Sequence, residues 1–503
     1  MATASTTYGA VSGETIDGVT RFLGLPYAAS PTGPLRFMAP VPPAPWTSVR
    51  ECVEYGATPP KPDYAAPFDT LLPEPNIPGD DWLTLNVWTA DLTGARPVMV
   101  WIHGGGFSNG NSAVEIYDGH AFARDGVVFV SINYRLGVVG FALLPDAPAN
   151  RGLLDQIAAL EWVRDNVAAF GGDPANVTIF GESAGAMSVT ALVGMPRASG
   201  LFAKVIAESG AAQVAADLQD ARLVTGELSA ALGFEATAAS LAEMDLDKLI
   251  EAQAKVRDAM SAAPDPARFG PSVVASSLPF IPVVDGDLLP LHPLAAIEAG
   301  RGSGIPLLAG TNTDEFRLFF VPSGLAGLVT FDTLPGFLGA LGIGADVAAL
   351  YQANRPGASA GDVLCALVTD RFFRLPTLAA AEARVSAGGQ APSYLYEFGW
   401  PSPVLDLGAA HGVEIAFVFD NLAQAGVQTL LGPEPPAGLA ADMHATWIRF
   451  ATDGDPGWQA FDSSYPVMTW DGERAEVVLD PRADERRSWM QASAASARQA
   501  AQA

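Results

Sequence analysis

Apolar residues in this chain fall into two patterns that alternate along its length. Short, mainly apolar runs recur at 83–88, 98–102, 127–133, 177–180, 204–207, 305–309 and 394–398. They read as strands buried for most of their length. Between the third and fourth runs, Leu153, Leu154, Ile157, Leu160 and Val163 recur at helical spacing. That helix is expected to stop near Phe170-Gly171-Gly172. Strands alternating with helices predict an α/β chain whose mostly parallel central sheet is covered on both faces. Two connections, 208–304 and 318–390, are far longer than a crossover needs. Val224/Leu228/Leu232 and Leu246/Leu249/Ile250 in the first look like helices with one buried stripe. Both are expected to be helical insertions that roof a pocket at the sheet's carboxyl edge, within one domain spanning 1–503.

Composition narrows the function classes. Hydrophobic residues make up 49% and charged residues 17%, so the chain has the material for a large core. With 28 Lys+Arg against 55 Asp+Glu the net charge is −27. A field of that sign repels nucleic acid and anionic membrane surfaces, and neither is expected as a partner. No apolar run reaches the roughly 18 residues that span a bilayer. No basic, then apolar leader precedes Arg21, so a cytoplasmic location is expected. Cys52 and Cys365 are the only cysteines and are expected to be free thiols. With five histidines and neither C-x-x-C nor H-E-x-x-H, no metal site and no cofactor are expected.

The candidate chemistry begins at Gly181-Glu182-Ser183-Ala184-Gly185, directly behind the run Val177-Thr178-Ile179-Phe180. A serine flanked two places away by glycines at a strand's end reads as a nucleophile elbow, where the backbone reverses sharply and a Cβ at either glycine would collide. Upstream, Val98–Ile102 is followed by His103-Gly104-Gly105-Gly106-Phe107. A glycine triplet after a buried strand leaves backbone N–H groups free to face a developing oxyanion, the other half of an acyl-transfer site. His103 is expected to be structural, holding this loop.

A serine nucleophile needs a histidine to take its proton and a carboxylate to orient that histidine, in the chain order Ser, acid, His. Downstream of Ser183 lie His292, His411 and His444. His292 sits between prolines, and His444 falls in a helical pattern. His411, in the small-residue stretch Gly408-Ala409-Ala410-His411-Gly412, best fits a general base. Its neutral form is the active one, so activity is expected to rise from about pH 6 to 7.5, around the free histidine value of about 6.5. For the acid, Asp314 and Glu315 follow the run at 305–309 side by side, and position alone does not separate them.

These motifs, with Phe170-Gly171-Gly172-Asp173-Pro174, Asn133-Tyr134-Arg135, Gly152-Leu153-Leu154-Asp155-Gln156, Asn312-Thr313-Asp314-Glu315 and His411-Gly412-Val413-Glu414, resemble the type-B carboxylesterases. That family includes cholinesterases and bacterial para-nitrobenzyl esterases, and the likeness runs from about Gly9 to Trp470. It implies an α/β-hydrolase fold and a Ser183–Glu315–His411 triad. It also implies an oxyanion hole of the Gly105, Gly106 and Ala184 N–H groups, and it settles the acid on Glu315. Glu182 resembles the family's buried acid near the triad, suited to stabilising an imidazolium at His411 or to a structural hydrogen bond. Arg36 is expected to pair with Asp80 or Asp81, and Arg135 with Asp155. Three features depart from the family. Trp82 stands where eukaryotic members carry a cysteine, residues 54–81 hold no choline-binding tryptophan, and Phe316 replaces a common glycine.

The implied activity is hydrolysis of small to medium uncharged carboxylic esters through an acyl-enzyme. Phe107, Phe316, Phe319, Phe320, Phe372 and Phe373 are expected to give the pocket apolar walls. The same machinery acting on amides, carbamates or thioesters is the alternative, because the elbow does not choose the leaving group. A catalytically silent binding protein on this fold is disfavoured by the retained serine.

Overall fold

Alternate residues of one strand feed two different cores: Val98, Val100 and Ile102 enter one apolar cluster, Met99 and Trp101 another. Val128/Val130/Ile132 and Phe129 divide in the same way, as do Ile179 and Phe180. The computed structural model of the chain describes residues 1–472 and 474–500, those from 493 onward by backbone alone. Twelve strands are labelled here. These are β1 (Ala2–Thr6), β2 (Gly9–Ile16), β3 (Val19–Pro26), β4 (Thr84–Thr89), β5 (Arg96–Ile102) and β6 (Val128–Ile132). The rest are β7 (Gly172–Glu182), β8 (Lys204–Glu208), β9 (Leu307–Asn312), β10 (Ser393–Phe398), β11 (Pro466–Trp470) and β12 (Ala475–Leu479). They join in the order β1-β2-β3-β4-β6-β5-β7-β8-β9-β10-β11-β12, and Arg50–Glu51 pairs with β2 at the side.

From β6 to β11 every pairing is parallel, and the flanking pairs are antiparallel. All seven expected runs are strands. Strand β1 has little apolar signal: in Ala2–Thr6 only Ala4 is buried. Helices α1 (Arg151–Asn166) and α2 (Ala184–Gly194) cover one face through Leu153, Ile157, Leu160, Val189 and Leu192. Helix α3 (Ala437–Asp453) covers the other through Met443, Trp447 and Phe450. The helix after β6 ends as expected, in a 3-10 turn at Val167–Phe170 closed by Gly171 at φ +79°.

Both long connections contain the expected helices, including Leu218–Leu232 and Leu246–Ala262. Residues 329–368 build a separate apolar cluster of their own. The insertions reach the carboxyl edge of the sheet: Leu278 lies over Gly106, and Phe319 and Phe373 pack on His411. Cys52 and Cys365 are buried and free. Among the described residues no helix is long and apolar enough to cross a membrane.

Arg135 and Asp155 form the expected pair, fully buried and bidentate at 2.7 and 2.8 Å. Arg135 also donates to the carbonyls of Arg36 and Met38, which ties the N-terminal segment to α1. Arg36 departs from expectation. It is buried, but it donates to the carbonyls of Leu241 (3.1 Å) and Met244 (2.5 Å), while Asp80 and Asp81 stay exposed. Backbone carbonyls at a helix end satisfy the guanidinium without burying a second charge, whose desolvation the ion pair would have to repay. Replacing Asp155 with alanine strands the buried Arg135 charge and is expected to cost about 3–5 kcal/mol in urea unfolding. A loss under about 1 kcal/mol would contradict this account of the pair.

Candidate active site

Ser183 follows directly on β7 with φ +56° and ψ −122°, backbone values that a side chain adopts only under restraint. The restraint is visible: its N–H donates to the Glu208 carbonyl and its carbonyl accepts from the Met187 N–H, both at 2.9 Å. A Cβ on Gly181 or Gly185 would run into the Ile102 carbonyl oxygen, so only glycine permits the reversal. The glycine turn after β5 lies against this elbow, since a Cβ on Gly104 would stand 2.8 Å from Glu182 Oε2 and 3.1 Å from Ser183 Cβ. The N–H groups of Gly105, Gly106 and Ala184 donate to no protein acceptor among the described residues. Unused donors next to a serine suit a developing oxyanion. His103 is buried, bonds the Gly104 carbonyl through Nδ1 (2.9 Å) and stacks on Tyr134. Burial lowers it to about 4 and keeps it neutral, as a structural residue.

His411 lies in the loop after β10, with Nδ1 2.6 Å from Glu315 Oε2. Glu315 follows β9, is fully buried and accepts the Asn312 N–H at 2.8 Å. Asp314 has a different task. Its carboxylate accepts the Ala409 N–H at 3.2 Å and its own N–H donates to the Ala409 carbonyl at 3.0 Å, which fixes the histidine loop. Geometry thus separates two acids that sequence position leaves level. On its other edge His411 Nε2 faces Glu182 Oε1 at 3.0 Å, a contact of charges without hydrogen-bond alignment. Ser183 Oγ makes no hydrogen bond to His411 or to another protein group among the described residues. The structure therefore joins His411 to both glutamates, with the serine next in chain to Glu182.

With a carboxylate at each ring nitrogen, the imidazole favours its charged form. Burial alone would lower its pKa, but Glu182, Glu315 and Glu414 outweigh burial and raise it to about 9. This departs from the near-normal value expected from the sequence, and the physical reason is these acids, Glu182 foremost. Burial in turn raises Glu182 and Glu414, the latter to about 7.

Sequence reasoning missed the depth of this cluster. Glu414 accepts from Ser209 Oγ (3.3 Å) and from Asn312 Nδ2, and Asn312 Nδ2 also donates to the Ala410 carbonyl (2.8 Å). Glu208, at the end of β8, accepts from Trp447 Nε1 at 2.7 Å and is pushed far up by burial. Glu414 was within sight, three places after His411 in a quoted motif. Glu208 gave no signal beyond closing a strand.

Phe319 and Phe373 pack on His411 with ring centroids 5.4 and 4.8 Å away. Phe316 touches Phe319, Phe320, Phe372 and Phe373 at 5.2–5.7 Å, so it knits the aromatic group together. Phe107 departs from the expected pocket wall: it is fully buried, packs on Phe141 and belongs to the main core.

The carboxylesterase family model matches residues 2–334 and 339–493. The chain belongs to the carboxylesterase family. It is 38% identical to the para-nitrobenzyl esterase of Bacillus subtilis, covering 96% of this chain and 97% of that one. It is 35% identical to the phenmedipham hydrolase of Pseudarthrobacter oxydans, over 95% and 96% of the two chains. A solved carboxylesterase of Geobacillus stearothermophilus superposes with a TM-score of 0.84 at 35% identity, covering 97% of this chain and 99% of that one. The fold is that of an α/β-hydrolase, and the protein is a carboxylic ester hydrolase.

Glu182→Gln removes one of the two carboxylates facing the imidazole. His411, followed by NMR, is expected to titrate well above 6.5 in the native enzyme and at least one unit lower in this variant. An unchanged midpoint would show that Glu182 does not hold the proton in place.

Proposed function

We propose that this enzyme hydrolyses small to medium uncharged carboxylic esters by transient acylation of Ser183. The observation that carries the reading is the 2.6 Å contact of His411 Nδ1 with Glu315 at the carboxyl edge that bears the Ser183 elbow. The neutral imidazole takes the serine proton on Nε2 as Oγ bonds to the acyl carbon. The carbonyl oxygen gains charge and is stabilised by the N–H groups of Gly105, Gly106 and Ala184. The imidazolium returns the proton to the departing alkoxide, and the alcohol leaves. Water then attacks the acyl-enzyme along the same proton path and releases the acid. Glu315 fixes the ring tautomer throughout. Glu182 favours the imidazolium that forms, but it also competes with the serine for Nε2 at rest.

Phenylalanine rings against His411 support apolar acyl or aryl groups as the favoured substituents. Burial of apolar surface contributes about 25 cal/mol per Å² without demanding a particular polar partner. Tolerance follows, since one methylene more or less shifts rates only about 10- to 200-fold. The relatives fit a tolerant scaffold. At 34–38% identity they carry the names para-nitrobenzyl esterase, phenmedipham hydrolase and fumonisin B1 esterase, so likeness alone does not select a substrate.

The test is a series of para-nitrophenyl esters beside butyrylcholine and an emulsified long-chain triglyceride, with native enzyme and Ser183→Ala. The soluble aryl esters are expected to win, and the alanine variant to lose about 10⁴-fold or more in turnover. Near-normal turnover by the variant would overturn the mechanism. A tenfold preference for the choline ester or the triglyceride would overturn the substrate class.

A further inference from the structure

Between the helices Ala360–Thr369 and Leu375–Ser386 the chain makes a π-turn over Asp370–Arg374. Such turns are rare and concentrate at functional sites. This one has two faces. Phe373 packs on His411, and Phe372 and Phe373 both meet Phe316. Asp370 and Arg374 point the other way and form a buried bidentate pair at 2.6 and 2.8 Å.

That pair is held from outside the roof. Arg374 Nη1 donates to the Pro481 carbonyl at 3.0 Å. Asp370 also accepts the hydroxyl of Tyr351, which in turn accepts Trp489 Nε1 at 2.9 Å. Trp489 belongs to the last helix, Ala483–Ala500, and Tyr351 to the roof helix Ala345–Asn354. Glu485, one turn before Trp489 and almost fully buried, pairs with Arg355 at 2.5 Å. Trp489 packs against the same roof cluster as Phe316 and Phe372. A continuous chain of contacts therefore leads from the C-terminal helix to the rings beside His411.

We infer that this C-terminal helix is a clasp that sets the width of the acyl or alcohol pocket. Trp489 and Tyr351 act as positioning residues for specificity by locking the π-turn that carries Phe372 and Phe373. The turn replaces the i→i−4 bonds of an α-helix with wider ones, such as Leu375 N–H to the Asp370 carbonyl, and these outside contacts brace it. With the clasp loosened, the two phenylalanines gain freedom to move off the pocket, and bulkier esters gain access. This inference rests on the esterase reading above.

The experiment compares kcat and KM for para-nitrophenyl acetate and para-nitrophenyl octanoate in native enzyme, Tyr351→Phe, Trp489→Phe, Phe373→Ala and the double variant Tyr351→Phe/Phe373→Ala. Tyr351→Phe removes one hydroxyl and Trp489→Phe one N–H donor, so both keep an aromatic ring in the roof. Each is expected to raise the octanoate-to-acetate ratio of kcat/KM at least threefold, mainly through a lower KM for octanoate. Phe373→Ala should move the ratio further in the same direction, and the double variant should match it. A lowered Tm with an unchanged ratio in the Tyr351 and Trp489 variants would make the clasp merely structural and overturn the inference. So would additive effects in the double variant. Failure of the esterase reading would show separately, as ester turnover that survives Ser183→Ala.

Discussion

The carbonyl oxygen of Ile102 leaves no room for a Cβ on Gly181 or Gly185, and the site is built on that contact. It lets β7 turn into α2 within a single residue, directly against the end of β5. The turn forces Ser183 to positive φ and brings the glycine loop alongside it. The next strand, β8, completes the restraint by accepting the Ser183 N–H on the Glu208 carbonyl. Every group proposed to act on substrate then comes from the carboxyl ends of neighbouring parallel strands: Gly105 and Gly106 after β5, Ser183 after β7, Glu315 after β9 and His411 after β10. Ligand sites collect at that edge in open α/β sheets.

Charge is the second constraint. Glu182, Glu315 and Glu414 are buried around one imidazole, with Glu208 buried beyond Glu182 and Glu414, and four carboxylates in a dry interior do not all ionise. Hydrogen bonds divide the labour among them. Glu315 has the aligned contact to Nδ1 and a backbone N–H on its other oxygen. Glu208 sits against Trp447 and the apolar core, where burial favours its neutral form. Glu182 is left facing Nε2, where its carboxylate favours the charged form of the imidazole. The same contact would stabilise the imidazolium formed in the proposed acyl transfer.

The centre of the sheet was legible because strands buried on both faces write mainly apolar runs. The half-exposed strands β1 and β2 wrote no such pattern. The elbow and the glycine loop were readable because close backbone approach leaves glycine as the sole choice. Position alone did not separate Glu315 from Asp314, since both acids are at work within one residue of each other; the family resemblance chose Glu315, and the contact with the ring agrees with it. The expected Arg36–Asp80 or Asp81 pair failed for a related reason: carbonyls from a helix over 200 residues away satisfy Arg36, and no local spacing records them. Phe107 stands beside the glycines in sequence, yet its ring packs on Phe141 in the main core, which its position did not reveal. The raised His411 pKa was hidden as well, because it reflects three acids that fold together from segments far apart in the chain.

The most direct measurement is a crystal structure of the enzyme after reaction with a para-nitrophenyl alkylphosphonate, whose phosphoryl group stands in for the tetrahedral intermediate. The account predicts phosphorus bonded to Ser183 Oγ and the phosphoryl oxygen within hydrogen-bond distance of the Gly105, Gly106 and Ala184 N–H groups. It also predicts that His411 Nε2 turns from Glu182 toward the adduct while Nδ1 stays on Glu315. An adduct on another residue would contradict it, and so would a phosphoryl oxygen directed to solvent with the glycine N–H groups unused.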